Sequence, residues 1–132
     1  MKKIKYTYAQ FEQDIGKLAK KLAPYAKSIE NIYGIPRGGL IPATYLSHRL
    51  GKPLITDYKK ISNKTVIVDD IADTGNTLSK LISAVKYLKV VVLFSTPWTK
   101  YIPDEFCRMK RDGDWIIFPW ETKSSSKYDN TA

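Results

Sequence analysis

The stretch VIVDDIADTGNTL, residues 66–78, decides the fold of this chain. It opens on an apolar run, passes through the adjacent carboxylates Asp69 and Asp70, and turns at Gly75 into the pattern of an amphipathic helix. A fully apolar strand followed by a glycine turn and a helix is typical of a parallel sheet covered by helices on both faces. The stretch therefore predicts an α/β fold with a ligand site beyond the carboxyl end of this strand.

A second unit of the same kind lies upstream. Residues 31–35 form a short apolar strand, residues 36–39 read Pro-Arg-Gly-Gly, and a helix follows until the capping glycine Gly51. Because the carboxyl ends of parallel strands meet at one edge of a sheet, we expect the turns at 36–39 and 73–77 to converge. The site should thus be assembled from two loops.

The remaining patterns complete one domain. Thr7 and Gln10 form a capping box for a first helix that ends at Pro24, and the amino terminus MKKIKYTYAQ has two early lysines and then turns polar and helical. Further predictions are a weak strand at 53–56, a helix at 77–88 and strands at 66–68, 90–94 and 115–118. We expect a single α/β domain over residues 1–121, with a twisted, mostly parallel sheet flanked by helices, and a flexible, serine-containing tail over 122–132.

Composition narrows the functional class. The 132 residues carry a net charge of +9, from 22 Lys plus Arg against 13 Asp plus Glu, which favours anionic ligands. The basic residues are dispersed, which disfavours nucleic acid as the main partner. The single Cys107 and the lack of a long apolar run lead us to expect a cytoplasmic protein with no membrane partner.

The turn at 73–77 has the chemistry of a phosphate cradle. Its glycine allows a tight turn, its amides point outward, and Thr74 and Thr77 carry hydroxyl donors. Two carboxylates would repel a phosphate, so Asp69 and Asp70 are better suited to sugar hydroxyls or to a magnesium shell. The predicted ligand therefore carries a phosphate, a diol and a metal ion.

These residues resemble the signature of the type I phosphoribosyltransferases, and the whole chain most resembles the bacterial xanthine-guanine enzymes. The resemblance rests on the opening helix, on residues 35–40, on residues 66–78, and on 114–116 with 119–121. It implies transfer of 5-phosphoribose from 5-phosphoribosyl 1-diphosphate to a purine, with a 6-oxopurine favoured, and it implies a homo-oligomer.

The resemblance also implies a role for each site residue. Asp73 and Arg37 would be catalytic, and Mg²⁺ would be held by Asp70, in part through water. The phosphoribosyl group would be bound by Asp69, Asp70, Asp73, Thr74, Gly75, Asn76 and Thr77. Pyrophosphate would be bound by Arg37, Gly38 and Gly39, and the base by Thr96, Trp115 and Ile116.

Two departures from the family pattern keep alternatives open. The mobile loop that closes over substrate in the family would lie between Thr56 and Val66, where only a short basic segment remains. The family lysine that contacts the purine 6-oxo group is replaced by Ser95-Thr96-Pro97, although Lys100 follows in the next turn. Alternative functions are therefore a non-catalytic protein that binds phosphoribosyl diphosphate or nucleotide, and transfer to an acceptor that is not a purine.

Overall fold

The computed structural model describes residues 1–122, so nearly all of the tail predicted at 122–132 lies outside the described residues. Its main sheet has five parallel strands in the order β3-β2-β4-β5-β6, and β1 and β7 form a separate two-stranded parallel sheet. The strands are β1 (Lys2–Lys5), β2 (Asn31–Gly34), β3 (Leu54–Ile55), β4 (Thr65–Ala72), β5 (Lys89–Ser95), β6 (Glu105–Met109) and β7 (Asp114–Ile117). The helices are α1 (Tyr8–Leu22), α2 (Leu40–Leu50) and α3 (Asn76–Ile82), with 3-10 helices at Ala23–Ser28 and Tyr58–Lys60.

Two hydrophobic cores lie on opposite faces of the main sheet. Side chains alternate along each strand, so Val66 and Val68 of β4 belong to the core under α1 and α2. Ile67, between them, belongs to the other core together with Leu78 of α3. The apolar run at the start of β4 is therefore buried on both faces, which confirms the predicted α/β architecture.

The positions of α2 and α3 place the ligand crevice. Helix α2 follows β2 and packs on one face of the sheet, whereas α3 follows β4 and packs on the other. Since β2 and β4 are hydrogen-bonded neighbours, the chain leaves their carboxyl ends in opposite directions. Ligands of open α/β sheets bind at such a switch point.

The start of α1 and the end of α2 form where the sequence predicts them. The Thr7 hydroxyl accepts from the Gln10 amide at 3.1 Å, and the Gln10 side chain accepts from the Thr7 amide at 3.0 Å, so the capping box is complete. Helix α2 ends at Gly51, whose φ of 64° is left-handed. Both caps confirm local sequence signals.

Four secondary-structure predictions were wrong or incomplete. Strand β1 was not predicted; its backbone pairs with β7, and of its four residues Ile4 packs against the core. Strand β6 was not predicted, and β4 runs on through Asp69 and Asp70 to Ala72. Helix α3 ends at Ile82 rather than at residue 88, because the chain then turns to enter β5 at Lys89.

None of the helices within residues 1–122 has the length and apolar character that crossing a bilayer demands.

Candidate active site

A cavity of about 410 Å³ opens at the carboxyl edge of the main sheet. It lies beside the switch point, and its size suits a nucleotide-sized ligand. The predicted site residues that line it are Arg37, Gly38, Asp70, Asp73, Trp115 and Ile116. Residues of the turn at 36–39, the first residue of the turn at 73–77 and β7 thus meet at one cavity, whereas Gly39, Asp69 and residues 74–77 are not among the residues that line it.

Asp69 and Asp70 lie near the carboxyl end of β4. Asp69 is 8% exposed, and one of its carboxylate oxygens accepts from the Asp70 amide at 2.8 Å. Burial, reinforced by the charge of Asp70, raises the pKa of Asp69 well above its ordinary value. Burial also raises the pKa of Asp70, with a further contribution from the charge of Glu121. Such carboxylates gain from ligands that donate hydrogen bonds or bring positive charge.

The turn after β2 presses against this acidic pair. A Cβ atom on Gly38 would collide with the Asp70 carboxylate, and one on Gly39 would collide with the Val68 carbonyl. The Gly39 amide donates to the Ile35 carbonyl at 2.8 Å, and the peptide bond between Pro36 and Arg37 is cis. Glycine is therefore required at both positions so that the backbone of the turn can approach the tip of β4.

The conformation of the turn after β4 is fixed by its own backbone and by a hydrogen bond from the segment after β5. Gly75 has a φ of 81°, and the Asn76 amide donates to the Thr74 hydroxyl at 3.2 Å. The Lys100 amide donates to the Thr74 carbonyl at 2.9 Å, which ties the segment after β5 to this turn. Thr74, Asn76 and Thr77 are exposed, so their polar groups are available to a ligand.

Asp73 is fixed by three other side chains. Its carboxylate accepts from the Trp98 indole at 3.1 Å and lies 2.9 Å from the Lys110 ammonium. The Thr96 hydroxyl donates to the Asp73 backbone carbonyl at 2.5 Å. The orientation of the Asp73 carboxylate is thus set before substrate binds.

Aromatic residues form the end of the cavity nearest to β7. Trp115 lines the cavity and is 52% exposed, although tryptophan ordinarily buries most of its large surface. Trp120 also lines the cavity, but it stacks on Phe118 with ring centroids 5.2 Å apart and an interplanar angle of 12°. Trp115 therefore offers a ring face to a planar ligand, whereas Trp120 also belongs to the core.

Thr96 does not reach the cavity. It is 3% exposed, its hydroxyl is engaged with Asp73, and it is absent from the described residues that line the cavity. The geometry thus gives Thr96 a supporting position behind Asp73, and its role in binding the base stays a prediction.

Sequence reasoning missed three residues of this site. Lys110 and Glu121 line the cavity, and Trp98 orients Asp73. Lys110 follows β6, whose carboxyl end lies at the same edge as those of β4 and β5. A cation directly after a parallel strand would have indicated Lys110 as a site residue. This pattern could not be recognised because strand β6 was not predicted from the sequence.

The short basic segment between β3 and β4 lies away from this cavity. Tyr58, Lys59 and residues 61–63 line a different cavity together with residues 84–86, close to the amino ends of β4 and β5. Ile61 packs into the core on the α3 side of the sheet. The segment therefore forms no cover over the candidate site.

Comparison with known proteins places the chain in a family, although no family model matches it. A solved purine phosphoribosyltransferase from Pyrococcus horikoshii is 38% identical, with 92% of this chain and 95% of that one covered and a TM-score of 0.78. A xanthine-guanine phosphoribosyltransferase from Idiomarina loihiensis is 27% identical over 126 residues, which cover 79% of this chain and 78% of the relative.

A solved Helicobacter pylori xanthine-guanine-hypoxanthine phosphoribosyltransferase is 22% identical, covers 91% of this chain and 94% of its own, and gives a TM-score of 0.75, which supports the fold. The predicted resemblance is confirmed, because the match to the Pyrococcus protein covers almost the whole of both chains. The chain belongs to the purine phosphoribosyltransferases of the type I phosphoribosyltransferase family.

Proposed function

We propose that the chain transfers the 5-phosphoribosyl group of 5-phosphoribosyl 1-diphosphate to a purine, with a 6-oxopurine favoured, and so serves purine salvage. The products are a nucleoside 5'-monophosphate and pyrophosphate. The observation that carries this proposal is that one cavity is lined by residues from each predicted part of the site: Arg37 and Gly38, Asp70 of the acidic pair, Asp73 at the start of the phosphate turn, and the exposed Trp115.

Each part of the cavity is suited to one part of the substrates. The exposed residues Thr74, Asn76 and Thr77 suit the 5'-phosphate, and Asp69 and Asp70 suit the ribose hydroxyls. Arg37 and the amides of Gly38 and Gly39 suit the pyrophosphate. Trp115 suits the purine face, and the backbone of Ile116 suits its edge.

The reaction replaces one bond at the anomeric carbon. The bond to the diphosphate oxygen breaks and its electron pair leaves with pyrophosphate, while a purine nitrogen lone pair forms the new carbon–nitrogen bond. Asp73 accepts the proton that the purine loses, and its fixed orientation is what a general base requires. Arg37 stabilises the charge that develops on pyrophosphate.

The site suits a magnesium ion that binds to a protein carboxylate and to the substrate together. Among residues 1–122 there is no cluster of three acidic, histidine or cysteine side chains that would hold a metal on its own. Mg²⁺ commonly binds through one or two carboxylates, water and substrate phosphates, and Asp70 at the cavity wall provides such a carboxylate. When bound there, the ion would offset the charge of the pyrophosphate.

A direct assay tests the proposed function. Pyrophosphate release is measured with guanine, xanthine, hypoxanthine or adenine, each with magnesium and 5-phosphoribosyl 1-diphosphate. We expect at least one 6-oxopurine to be a substrate, and we expect Asp73→Asn to lower kcat by about 10²–10⁴-fold because the proton acceptor is lost. The exposed Asp112→Asn is the matched control and should leave kcat unchanged. Activity with none of the four bases would contradict the proposal.

A homo-oligomer in the cytoplasm remains part of the proposal, supported by the family resemblance. Sedimentation of the purified chain with and without nucleotide tests the assembly, and a single monomeric species at all concentrations would contradict it.

A further inference from the structure

Lys110 is held in the wall of the candidate active site. It follows β6 directly, and its amide donates to the Ser95 carbonyl at 2.8 Å, which continues the pairing of β5 with β6. Its side chain is only 13% exposed, and its ammonium lies 2.9 Å from the Asp73 carboxylate. A lysine this buried is unusual unless it is paired, so its position is built into the fold.

The Lys110 ammonium retains donor capacity toward the cavity. An ammonium carries three donors, and within residues 1–122 Lys110 pairs with Asp73 and lies over the face of Trp98, whose ring centroid is 5.4 Å away. Of the described residues that line the cavity, only Arg37 and Lys110 are cationic, and Arg37 belongs to the turn beside Asp70. The wall near Asp73 thus presents an acceptor and a donor side by side.

This arrangement matches one edge of a 6-oxopurine. The ring nitrogen N7 and the group on C6 lie next to each other on that edge, where an oxo group accepts hydrogen bonds and an amino group donates them. A purine protonated at N7 offers its N–H to Asp73 and its oxygen to Lys110. A 6-aminopurine would instead turn N–H groups toward an ammonium, leaving donors without acceptors.

We propose that Lys110 is a specificity-determining residue that binds the oxygen on C6 of the purine, while Asp73 faces N7. The inference rests on the proposed function and goes beyond it, because it assigns base selection to a residue of β6. It also supplies a cation where Thr96 stands in place of the family lysine and is turned away from the cavity.

The experiment compares binding and turnover in the wild type and in Lys110→Met. By calorimetry, we expect the wild type to bind inosine monophosphate about 10- to 100-fold more tightly than adenosine monophosphate or purine riboside monophosphate, which lacks a group on C6. In Lys110→Met this preference should disappear, and kcat/KM for hypoxanthine should fall by the same factor. Lys110→Arg, which keeps a cationic donor, should restore part of the preference.

Controls separate selection of the base from effects on folding and on Asp73. Arg111→Met removes an exposed neighbouring charge and should leave the preference unchanged. Thermal unfolding identifies variants that fail to fold, and the wild-type comparison of the three nucleotides stands without any variant. Equal wild-type affinities, or a loss in Lys110→Met that is the same for every nucleotide, would overturn the inference. Transfer by the wild type without such selectivity would overturn it while leaving the proposed function intact.

Discussion

At the scale of single residues, the site holds two adjacent carboxylates, Asp69 and Asp70, in a largely buried position. Asp69 is almost completely buried beside Asp70, and the pKa of each is raised chiefly by burial. Burying two adjacent carboxylates costs free energy, which a ligand that donates hydrogen bonds or brings positive charge can offset. The pair is therefore organised for a ligand and not for the stability of the free protein.

The first prediction concerns the Asp69→Asn variant without ligand. Because the folded pKa of Asp69 lies above its unfolded value of about 3.9, its stabilising contribution is complete below that pH and is lost as pH rises through the folded pKa. Asparagine does not titrate and can still accept from the Asp70 amide. In magnesium-free buffer, we expect the variant to gain about 1.4 kcal/mol per unit of raised pKa.

Thermal unfolding at a series of pH values measures this effect. The gain of Asp69→Asn over the wild type should grow from pH 4 to pH 8, while Asp112→Asn, which is exposed, should follow the wild type. A variant that is equally stable or less stable at pH 8 would show that the carboxylate does not destabilise the free protein.

The second prediction concerns Gly38→Ala. The added methyl group would collide with the Asp70 carboxylate and displace either the turn or the acid. We expect affinity for 5-phosphoribosyl 1-diphosphate to fall by about 10²-fold, since a shift of about 1 Å at a positioned group costs that much. Calorimetric titration provides the measurement.

Gly16→Ala is the matched control for that substitution. Gly16 lies within α1, and a Cβ there would meet only the end of the Arg49 side chain at 3.4 Å. The control should keep full affinity and gain about 0.5–1 kcal/mol of stability. Equal affinities of the two variants would disprove the tight approach of the turn to Asp70.

At the scale of elements, the strands buried inside the sheet could be predicted from the sequence, whereas the edge strand β6 could not. Strands β4 and β5 have apolar runs, and the ends of α1 and α2 carry clear caps, so these were found. Strand β6 is an edge strand with the mixed sequence EFCRM, which has no strong strand pattern.

The same limit explains the errors at the site. The loops after β2 and β4 carry their own chemical signature, so Arg37 and Asp73 could be proposed as site residues from the sequence, and both line the cavity. Lys110 and Trp98 acquire meaning only through contacts with Asp73 across 25 or more positions of the chain, which depend on the register of β5 and β6. The positions of Lys110 and Trp98 beside Asp73 are therefore set by tertiary packing and are not indicated by a local sequence pattern.

The third prediction concerns the contact that fixes β6 against α1. Asp14 is 1% exposed, accepts from Tyr6 at 2.6 Å, and lies 2.7 Å from Arg108 of β6. Removing one partner of a buried pair leaves the other uncompensated, and Arg108 is partly exposed. We therefore expect Asp14→Asn to lower the free energy of unfolding by about 2–3 kcal/mol, less than the roughly 3–5 kcal/mol of a fully buried pair.

A second ion pair between the same two elements is the control. Lys21 and Glu105 lie 3.3 Å apart, but their side chains are 51% and 34% exposed. Glu105→Gln should change stability by less than about 1 kcal/mol in urea unfolding. Similar losses in the two variants would show that the buried contact is no stronger than an exposed one.

At the scale of the whole molecule, the candidate site and the short basic segment between β3 and β4 lie at opposite edges of the sheet. The candidate site lies at the carboxyl edge, whereas the segment with Tyr58–Lys60 packs with residues 84–86 close to the amino ends of the strands. The net charge of +9 attracts a polyanionic substrate to the molecule as a whole. The segment with Tyr58–Lys60 does not cover the candidate site, and therefore does not exclude water from the reacting carbon.

The last prediction follows from that open site. Closing segments protect reactive intermediates from water, and in this chain the segment between β3 and β4 is fixed at the opposite edge by Ile61, which packs into the core. With 5-phosphoribosyl 1-diphosphate and magnesium but no purine, we expect water to attack the anomeric carbon and ribose 5-phosphate to form about tenfold faster than without enzyme. Arg37→Met should abolish this hydrolysis together with transfer, because both reactions require departure of pyrophosphate, whereas Arg49→Met, an exposed arginine of α2, should change neither. Saturating purine should suppress ribose 5-phosphate formation by occupying the position of the water. If the rate without purine equals the uncatalysed rate, some other part of the chain excludes water, and the open cavity does not describe the enzyme during turnover.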